Sequence, residues 1–260
     1  MRVVLDADPG NSQAGADIDD GLALALLLKT PETDLQAVTV VGGNVGVDEG
    51  VLTTLGLLSV NGSETIPVYR GADRPLIQDP DLFSGFLRQR RADPLIASLW
   101  SAIEFPTPTL REQPGNAARV LVDTVLAYPG EVTILAIGPL TNVATACLLD
   151  SRFAQSVARI IIMGGVTAAP DVLHELNFAW DPEAAHVVLT SGAPITIVPL
   201  DVTLTTNLTL DDNPCSTGIR RSPGGADRSR RRAIHPVADG ARSYRLSAAR
   251  SARGRRPHPP

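Results

Sequence analysis

Short apolar runs rich in β-branched residues alternate with longer segments of helical apolar spacing along the first 212 residues. The runs predict buried parallel strands at 1–8, 35–44, 66–71, 131–142, 158–165 and 194–203. The helical spacing predicts helices at 19–30, 49–62, 116–130, 142–150 and 181–192. The Pro-rich segment from Arg74 to about Gly115 has no sustained period and is predicted to be irregular. This alternation indicates an α/β fold with an open, mostly parallel sheet and helices on both faces.

Polar residues collect where the apolar runs end. In open parallel sheets, ligands bind outside the carboxyl ends of the strands. The polar residues at these ends are therefore candidates for a functional site. They are Asp6, Asp8, Asn44, Thr141, Asn142 and Asp201.

The pattern stops at about Asp212, and residues 213–260 differ in composition. They contain 12 of the 23 basic residues, all arginine, together with two acidic residues and one aromatic residue. Burial of so few apolar groups cannot offset the conformational entropy that the segment would lose on folding. We therefore expect an α/β domain at 1–212 followed by a disordered tail at 213–260. Nucleic acid is not an expected partner, because basic arms commonly use lysine and the single lysine of the chain is Lys29.

The change of composition after "LTLDD" is abrupt and is typical of a shifted reading frame. A frameshift at this point would leave the α/β fold incomplete at its carboxyl end. Translation of the coding DNA beyond codon 212 in the other frames tests this interpretation, which requires an apolar-patterned segment in one of them.

Cysteine spacing and hydropathy argue against a metal-binding or redox cysteine motif and against a membrane protein. Cys147 and Cys215 lack the paired spacing of a zinc site or a redox motif and are interpreted as free thiols. No run of about 18 apolar residues occurs, which excludes a predicted membrane span. The opening "MRVVLDADPG" leaves no room for the apolar region of a signal peptide. We therefore expect a cytoplasmic protein with no membrane partner.

Five aspartates lie at the junction between the first strand and the first helix: Asp6, Asp8, Asp17, Asp19 and Asp20. Converging carboxylates repel one another unless a cation or a shared proton compensates them. Ligands that are all oxygen suit a hard divalent ion, Ca²⁺ or Mg²⁺. A single aspartate here would be a helix cap or a turn residue, but the cluster predicts a metal or catalytic site.

The same block resembles the signature of the nucleoside hydrolases, which are calcium-dependent N-ribohydrolases. In that family a strand ends in DxDxG, and a DD pair starts the next helix. Here the block reads "DADPGNSQAGADIDD", with a longer loop before the pair. Further blocks follow in family order: "VTVVGGN", "VYRGADRPL", "ILAIGPLTNVATA", "IIIMGG", "HELNFAWDPEAA" and "ITIVPLDVT". The resemblance covers about residues 1–212 and implies a Rossmann-like nucleoside hydrolase fold.

The resemblance also implies an activity, which is hydrolysis of the N-glycosidic bond of ribonucleosides to ribose and free base. The implied nucleophile is a calcium-bound water, and the implied process is purine or pyrimidine salvage. The implied calcium ligands are Asp6, Asp8, Asp20 and the backbone carbonyl of Thr141. Asp8 is also the implied general base. The implied ribose ligands are Asp19, Asn44, Glu175 and Asn177. Family members form homodimers or homotetramers, so other copies of the chain are the expected protein partners.

Several of these residues have simpler structural interpretations. Asn44 suits a turn, Glu175 suits a solvated loop, and Asp17 suits a loop or a helix cap. Thr141 suits a helix cap, which does not exclude a carbonyl ligand. Asp181, followed by proline, is predicted to cap a helix.

The chain departs from the family pattern at two places. The family has a sugar-binding Asn several residues before the block that holds Asn177, and "GGVTAAPDVLHEL" has none. The family also ends in a His-Asp pair, and this chain has no His-Asp dipeptide. Impaired hydrolysis, or an inactive protein that still binds nucleoside or ribose, is therefore the alternative interpretation.

A second enzyme class also begins with DxD after a strand. The haloacid-dehalogenase group uses such an Asp as a nucleophile in phosphoryl transfer, together with a downstream lysine. Lys29 lies in the first predicted helix, which disfavours this class.

Overall fold

The computed structural model describes residues 1–100, 105, 107–168 and 174–206. The tail predicted at 213–260 lies outside these residues. The chain divides into two units, one comprising Met1–Val166 with His174–Leu200 and the other Thr167–Leu173 with Asp201–Pro260. In the second unit, the Asp201 carboxylate accepts hydrogen bonds from the backbone N–H of Thr167 at 2.8 Å and from its hydroxyl at 2.5 Å.

The larger unit is built on a six-stranded sheet, as the apolar runs predict. The strands are β1 (Arg2–Ala7), β2 (Asp34–Val40), β3 (Val68–Arg70), β4 (Val132–Ala136), β5 (Arg159–Met163) and β6 (Ile195–Val198). Their order is β3-β2-β1-β4-β5-β6, and every neighbouring pair is parallel. The predicted α/β class and the parallel sheet are confirmed.

Helices connect the strands. They are α1 (Asp19–Lys29), α2 (Val47–Val60), α3 (Asp81–Arg91), α4 (Pro94–Trp100), α5 (Ala117–Ala127), α6 (Thr141–Leu149), α7 (Arg152–Ser156), α8 (Leu176–Trp180), α9 (Pro182–Leu189) and α10 (Leu200–Thr203). None of the helices within the described ranges is long and apolar enough to cross a membrane.

Apolar side chains cover both faces of the sheet. Val4 of β1 belongs to a buried cluster with residues of β4, β5, α5, α6 and α9. Val3 and Leu5, its neighbours in β1, belong to a second cluster with residues of β2, α1 and α2. Because successive side chains of a strand point to opposite faces, the two clusters place helices on both sides of the sheet.

Two predictions of local structure were wrong. The segment 74–115 was predicted to be irregular, but it contains α3 and α4. The two helices are short, and Asp-Pro pairs at 79–80 and 93–94 mark their starts. Asp93 accepts a hydrogen bond from the backbone N–H of Leu95 at 2.8 Å. The strand predicted at 194–203 ends at Val198 because Pro199 has no N–H for the ladder. The residues that follow form α10.

The strand order places a crevice beside β1. The connection from β1 leads to β2 on one side, whereas β4, which enters later in the chain, pairs with β1 on the other side. Such a reversal of strand order opens a cleft at the carboxyl ends of the central strands. β1 and β4 reach this edge at Ala7 and Ala136, so residues just beyond them line the cleft.

Candidate active site

Three carboxylates are buried at the carboxyl end of β1. Asp6 is the fifth residue of β1, Asp8 follows the strand, and Asp20 is the second residue of α1. Their exposed fractions are 0%, 3% and 4%. Asp19, the other half of the acidic pair, is exposed at the start of α1. The structure therefore buries all three predicted carboxylate ligands of the metal at this end of β1, and their role as ligands stays a prediction.

Asp6 has one oxygen with partners and one without. Its Oδ1 accepts from the Thr39 hydroxyl at 2.5 Å and from Nδ2 of Asn142 at 2.9 Å. Its Oδ2 is buried with no hydrogen-bond partner among the described residues. Burial raises the pKa of Asp6 to about 7, although both hydrogen bonds lower it.

Asp8 lies between two glycines. A Cβ at Gly43 would lie 2.3 Å from Asp8 Oδ2, and a Cβ at Gly138 would lie 2.8 Å from Oδ1. The Asp8 Oδ2 atom accepts a hydrogen bond from the backbone N–H of Asn44 at 2.6 Å. Burial, together with the smaller effect of the negative charges of Asp19 and Asp17, raises the pKa of Asp8 to about 8, although the hydrogen bond from the Asn44 N–H lowers it. The absence of side chains at 43 and 138 is what gives this carboxylate its space.

Asp20 completes the buried set. Burial and then the charges of Asp8 and Asp19 raise the pKa of Asp20 well above its ordinary value. Its Oδ1 is buried and without a hydrogen-bond partner in the described part of the chain. All three carboxyl groups thus have raised pKa values, mainly because each is removed from water, and no cation of the described residues lowers these pKa values.

The loop between β1 and α1 is held by the Asn44 side chain. Its Oδ1 accepts from the backbone N–H of Asp17 at 3.0 Å, and its Nδ2 donates to the Asp17 carbonyl at 2.9 Å. Asn11 adds a bond from Nδ2 to the carbonyl of Ile18 at 3.1 Å. Asp17 therefore lies in a loop, as one interpretation of the sequence predicted, and Asn44 fixes that loop through both ends of its amide.

The chemistry of this set suits a hard cation. The side-chain atoms of this set that could bind a metal are all carboxylate oxygens. Two of these oxygens, Asp6 Oδ2 and Asp20 Oδ1, are buried without hydrogen-bond partners among the described residues. In the same residues, no group of three or more His, Cys, Asp or Glu side chains is arranged so that it could hold a metal ion. The agreement with a hard divalent cation therefore lies in the chemistry of the oxygens and in the two that lack partners.

Thr141 begins α6 beside the cluster. Its carbonyl accepts from the Thr145 hydroxyl at 2.7 Å, and its own hydroxyl donates to Asp181 Oδ2 at 2.7 Å. Asp181 caps α9, as predicted, by accepting from the backbone N–H of Ala184 at 3.0 Å. Asp181 Oδ2 also accepts from the backbone N–H of Leu76 at 2.9 Å. One buried carboxylate thus links the starts of α6 and α9 to the chain after β3.

Glu175 and Asn177 lie at the start of α8. The Glu175 carboxylate accepts from the backbone N–H groups of Asn177, Phe178 and Gly165 at 2.7, 3.0 and 2.8 Å. Glu175 is therefore a buried N-cap, and its interpretation as a solvated loop acid was wrong. Burial raises its pKa, although the three N–H groups lower it. Asn177 Nδ2 donates to the carbonyls of Ile137, at 2.7 Å, and Met163, at 3.1 Å, beyond β4 and at the end of β5.

Sequence reasoning missed the residues that support these carboxylates. Thr39 pairs in register with Asp6 across β1 and β2, which no local pattern reveals. Asn142 appeared only as a polar residue after a strand, yet it bonds to Asp6 and accepts from the backbone N–H of Ala72 at 2.8 Å. Gly43 could have been recognised in "VVGGN", because a glycine after a strand indicates that another group approaches the backbone closely.

Comparison with known proteins identifies relatives over most of the chain. The profile of the inosine-uridine preferring nucleoside hydrolase family matches residues 3–246, a range that continues beyond Asp212. Uridine nucleosidase 1 of Arabidopsis thaliana is 36% identical over 214 residues, which are 81% of this chain and 60% of that protein. The pyrimidine-specific ribonucleoside hydrolase RihA of Citrobacter koseri is 32% identical over 84% of this chain and 68% of its own length.

Solved structures agree in fold. A plant nucleoside hydrolase has a TM-score of 0.61 at 33% identity, covering 81% of this chain and 63% of its own. A purine-preferring ribonucleoside hydrolase from Gardnerella vaginalis has a TM-score of 0.68 at 27% identity, covering 81% of this chain and 64% of its own. The chain spans about three-fifths of the length of the first of the curated relatives. On the evidence of the profile match and of these relatives, the chain belongs to the inosine-uridine preferring nucleoside hydrolase family.

Proposed function

We propose that the chain hydrolyses the N-glycosidic bond of ribonucleosides, releasing ribose and a free base. The observation that carries this proposal is the burial of three carboxylates, Asp6, Asp8 and Asp20, at the carboxyl end of β1 and the start of α1. Carboxylates that are uncompensated and close to one another are typical of catalytic sites. Relatives named for uridine, pyrimidine ribonucleoside and purine ribonucleoside hydrolysis support a ribonucleoside as the substrate.

The proposed cofactor is calcium. Asp6, Asp8, Asp20 and the backbone carbonyl of Thr141 would hold it, since calcium prefers several oxygen ligands. When bound, it would acidify and orient a water molecule for attack on the sugar. The two unpartnered carboxylate oxygens, Asp6 Oδ2 and Asp20 Oδ1, support this assignment.

Asp8 is the proposed general base. Its carboxylate is buried beside the position proposed for the metal-bound water, which is where a general base must lie to take the proton. The hydrogen bond from the Asn44 N–H fixes one of its oxygens, while Gly43 and Gly138 leave the space that the carboxylate occupies. Asp8 would take the proton of the attacking water as the bond to the base breaks.

Four residues are the proposed sugar ligands. Asp19 is exposed next to Asp20 and would accept hydrogen bonds from ribose hydroxyls. Asn44, Glu175 and Asn177 are proposed as further sugar ligands, and their bonds to the main chain hold them in fixed orientations. Rigid hydroxyl ligands favour an oxocarbenium-like transition state by holding the ring in place.

Release of ribose from inosine, adenosine, uridine and cytidine tests this function. The purified chain is assayed with added calcium and with a chelator, and turnover is expected only with calcium. Asp8→Asn keeps the shape of the side chain but removes its basicity, and it is expected to lower kcat by about 10²–10⁴-fold. Asp17→Asn removes one negative charge from the same loop and serves as the matched control, with little expected change.

Two results would overturn the proposal. One is chelator-resistant turnover, which would reject the calcium site. The other is equal loss of activity in Asp8→Asn and Asp17→Asn, which would reject Asp8 as the base. Folding of each variant is followed by circular dichroism, so that loss of structure is not mistaken for loss of chemistry.

A second candidate is a nucleoside-binding protein without turnover. It is favoured by the absence of a His-Asp dipeptide from the sequence. Calorimetric binding of inosine with no ribose release from folded protein would establish this alternative. Oligomeric state is a separate proposal, of a homodimer or homotetramer, which sedimentation would test.

A further inference from the structure

The two carboxylate oxygens of Asp6 have unequal surroundings, although the residue is fully buried. Oδ1 accepts two hydrogen bonds, one from the hydroxyl of Thr39 at 2.5 Å and one from Nδ2 of Asn142 at 2.9 Å. Oδ2 has no hydrogen-bond partner among the described residues. A buried acceptor without a donor is destabilising, so a compensating group is needed at Oδ2 and not at Oδ1.

The hydroxyl of Thr39 can only donate to its neighbours. Thr39 is buried in β2, directly across from Asp6 in the register of β1 and β2. Its hydroxyl lies 2.5 Å from Asp6 Oδ1 and 3.4 Å from the carbonyl oxygen of Leu5. Both of these atoms are acceptors, and the shorter distance directs the proton of the hydroxyl to Asp6.

The amide of Asn142 has one orientation that satisfies its neighbours. Its Nδ2 donates to Asp6 Oδ1 and, at 3.3 Å, to the carbonyl of Val40, while its Oδ1 accepts from the N–H of Ala72 at 2.8 Å. A flipped amide would set its oxygen against two acceptors and its nitrogen against a donor. A Cβ at Gly71 would lie 2.2 Å from Asn142 Oδ1, so the main chain also limits movement of the amide. The nitrogen of Asn142 is therefore fixed toward Asp6.

Both donors to Asp6 are electrically neutral. An arginine or lysine at either position would form an ion pair with Asp6, whereas a hydroxyl and an amide hold the carboxylate and leave its charge uncancelled. The two donors also belong to different elements, β2 and α6, so a tilt of the carboxylate would disturb both hydrogen bonds. With Oδ1 held in this way, the direction in which Oδ2 points is determined as well.

We infer that Thr39 and Asn142 are positioning residues, which hold Asp6 so that its Oδ2 alone faces the proposed calcium ion. The inference rests on the proposed function, because it takes Asp6 as a ligand of that ion. Neither positioning residue is assigned as a ligand of the ion or of the sugar, and each acts through Asp6. Hydrogen bonds to the ligands of a metal commonly account for about 10–100-fold in metal affinity.

Thr39→Val tests the hydroxyl, because valine keeps the branched shape of threonine and lacks the donor. We expect calcium to bind the full chain about tenfold more weakly, as measured by calorimetry. Thr39→Ser keeps a hydroxyl and is expected to restore most of the affinity. Thr133→Val makes the same change at a buried threonine of β4, whose partner in register is Val3, and is expected to leave calcium affinity unaltered.

Asn142→Ala tests the second donor. We expect calcium affinity to fall by about 10–100-fold. Alanine also leaves the N–H of Ala72 without its acceptor, so the free energy of unfolding should fall as well. Urea denaturation in the presence of a chelator measures that structural effect separately, and calcium affinity is compared per folded molecule. If Asn142→Ala does not fold, Thr39→Val and Thr39→Ser decide the question.

The inference is rejected if Thr39→Val binds calcium as tightly as Thr133→Val, or if Thr39→Ser binds it as weakly as Thr39→Val. A purely structural role would lower the free energy of unfolding and leave calcium affinity unchanged. A wild-type chain that binds no calcium rejects the inference together with the calcium site.

These outcomes are distinguishable from failure of the proposed hydrolysis, because calcium binding is measured without a nucleoside. Weaker calcium binding by the variants of a chain that releases no ribose supports the inference and rejects the hydrolysis. Unchanged calcium binding by the variants of an active enzyme rejects the inference and leaves the hydrolysis intact.

Discussion

At the scale of single residues, Asp8 shows how little space the candidate site has. Its carboxylate lies against the backbone at Gly43 and Gly138 and accepts a bond from the Asn44 N–H. The carboxylates of the cluster were predictable, because they are close in sequence and follow a buried strand. The partners of Asp6 were not, since Thr39 and Asn142 lie 33 and 136 residues away along the chain.

Gly43→Ala tests the space around Asp8. The new Cβ would lie 2.3 Å from Asp8 Oδ2 and 2.6 Å from Pro139 Cγ, so the carboxylate or the loop must move. Overpacking of this kind lowers the free energy of unfolding by about 1–3 kcal/mol. We expect kcat to fall more than tenfold, because a displacement of about 1 Å has large effects on catalysis. Ribose release and urea denaturation are measured together.

Gly62→Ala provides the matched control for this substitution. Gly62 has a φ of +65°, so alanine is strained there, but a Cβ at this position meets nothing within 4 Å among the described atoms. Stability should fall without a loss of activity per folded molecule. Equal activity of the two folded variants would show that the close approach at Gly43 does not position Asp8.

At the scale of elements, two short helices of the candidate site begin at buried acidic residues. α8 has five residues and α9 has eight, and each begins at a buried acidic cap, Glu175 and Asp181. The Asp181 cap could be predicted from the Asp-Pro pair at 181–182, whereas Glu175 was open to other interpretations. α8 itself is too short for a periodic apolar signal, so only packing reveals it.

Asp181→Ala is expected to be strongly destabilising. The substitution removes the acceptor for the backbone N–H groups of Ala184 and Leu76 and for the Thr141 hydroxyl, all at or within 3.0 Å. Loss of a cap and of buried partners predicts a decrease of about 3 kcal/mol in the free energy of unfolding, measured in urea. Asp150→Ala removes a half-buried carboxylate paired with the exposed Arg152 and is expected to have a smaller effect. Similar losses in the two variants would contradict the role assigned to Asp181.

At the scale of the whole molecule, the buried carboxylates connect stability to pH and to calcium. The pKa values of Asp6 and Asp8 are raised from an unfolded value of 3.8 to about 7 and about 8. Between these limits the metal-free native state binds more protons than the unfolded state. Stability therefore decreases as pH rises through this window, because the buried groups must then ionise without a compensating charge.

Thermal unfolding at pH 5 and pH 8.5 tests this relation. With a chelator, we expect a lower Tm at pH 8.5 than at pH 5. Calcium should raise Tm more at pH 8.5, because its ligands must be deprotonated to bind it. Asp8→Asn should reduce both effects, since it removes one of the titrating groups. A chelated protein whose Tm rises with pH would contradict the burial of uncompensated carboxylates.

The sequence by itself determined the parallel α/β fold, the positions of its strands and the acidic cluster after β1. These features depend on apolar periodicity and on residues close together in the chain, and both are visible in one dimension. Tertiary structure decided which side chains support the cluster and the capping role of Glu175. These features depend on strand register and on contacts between distant segments. Local sequence does not encode such contacts, because they arise only when the helices pack on the sheet.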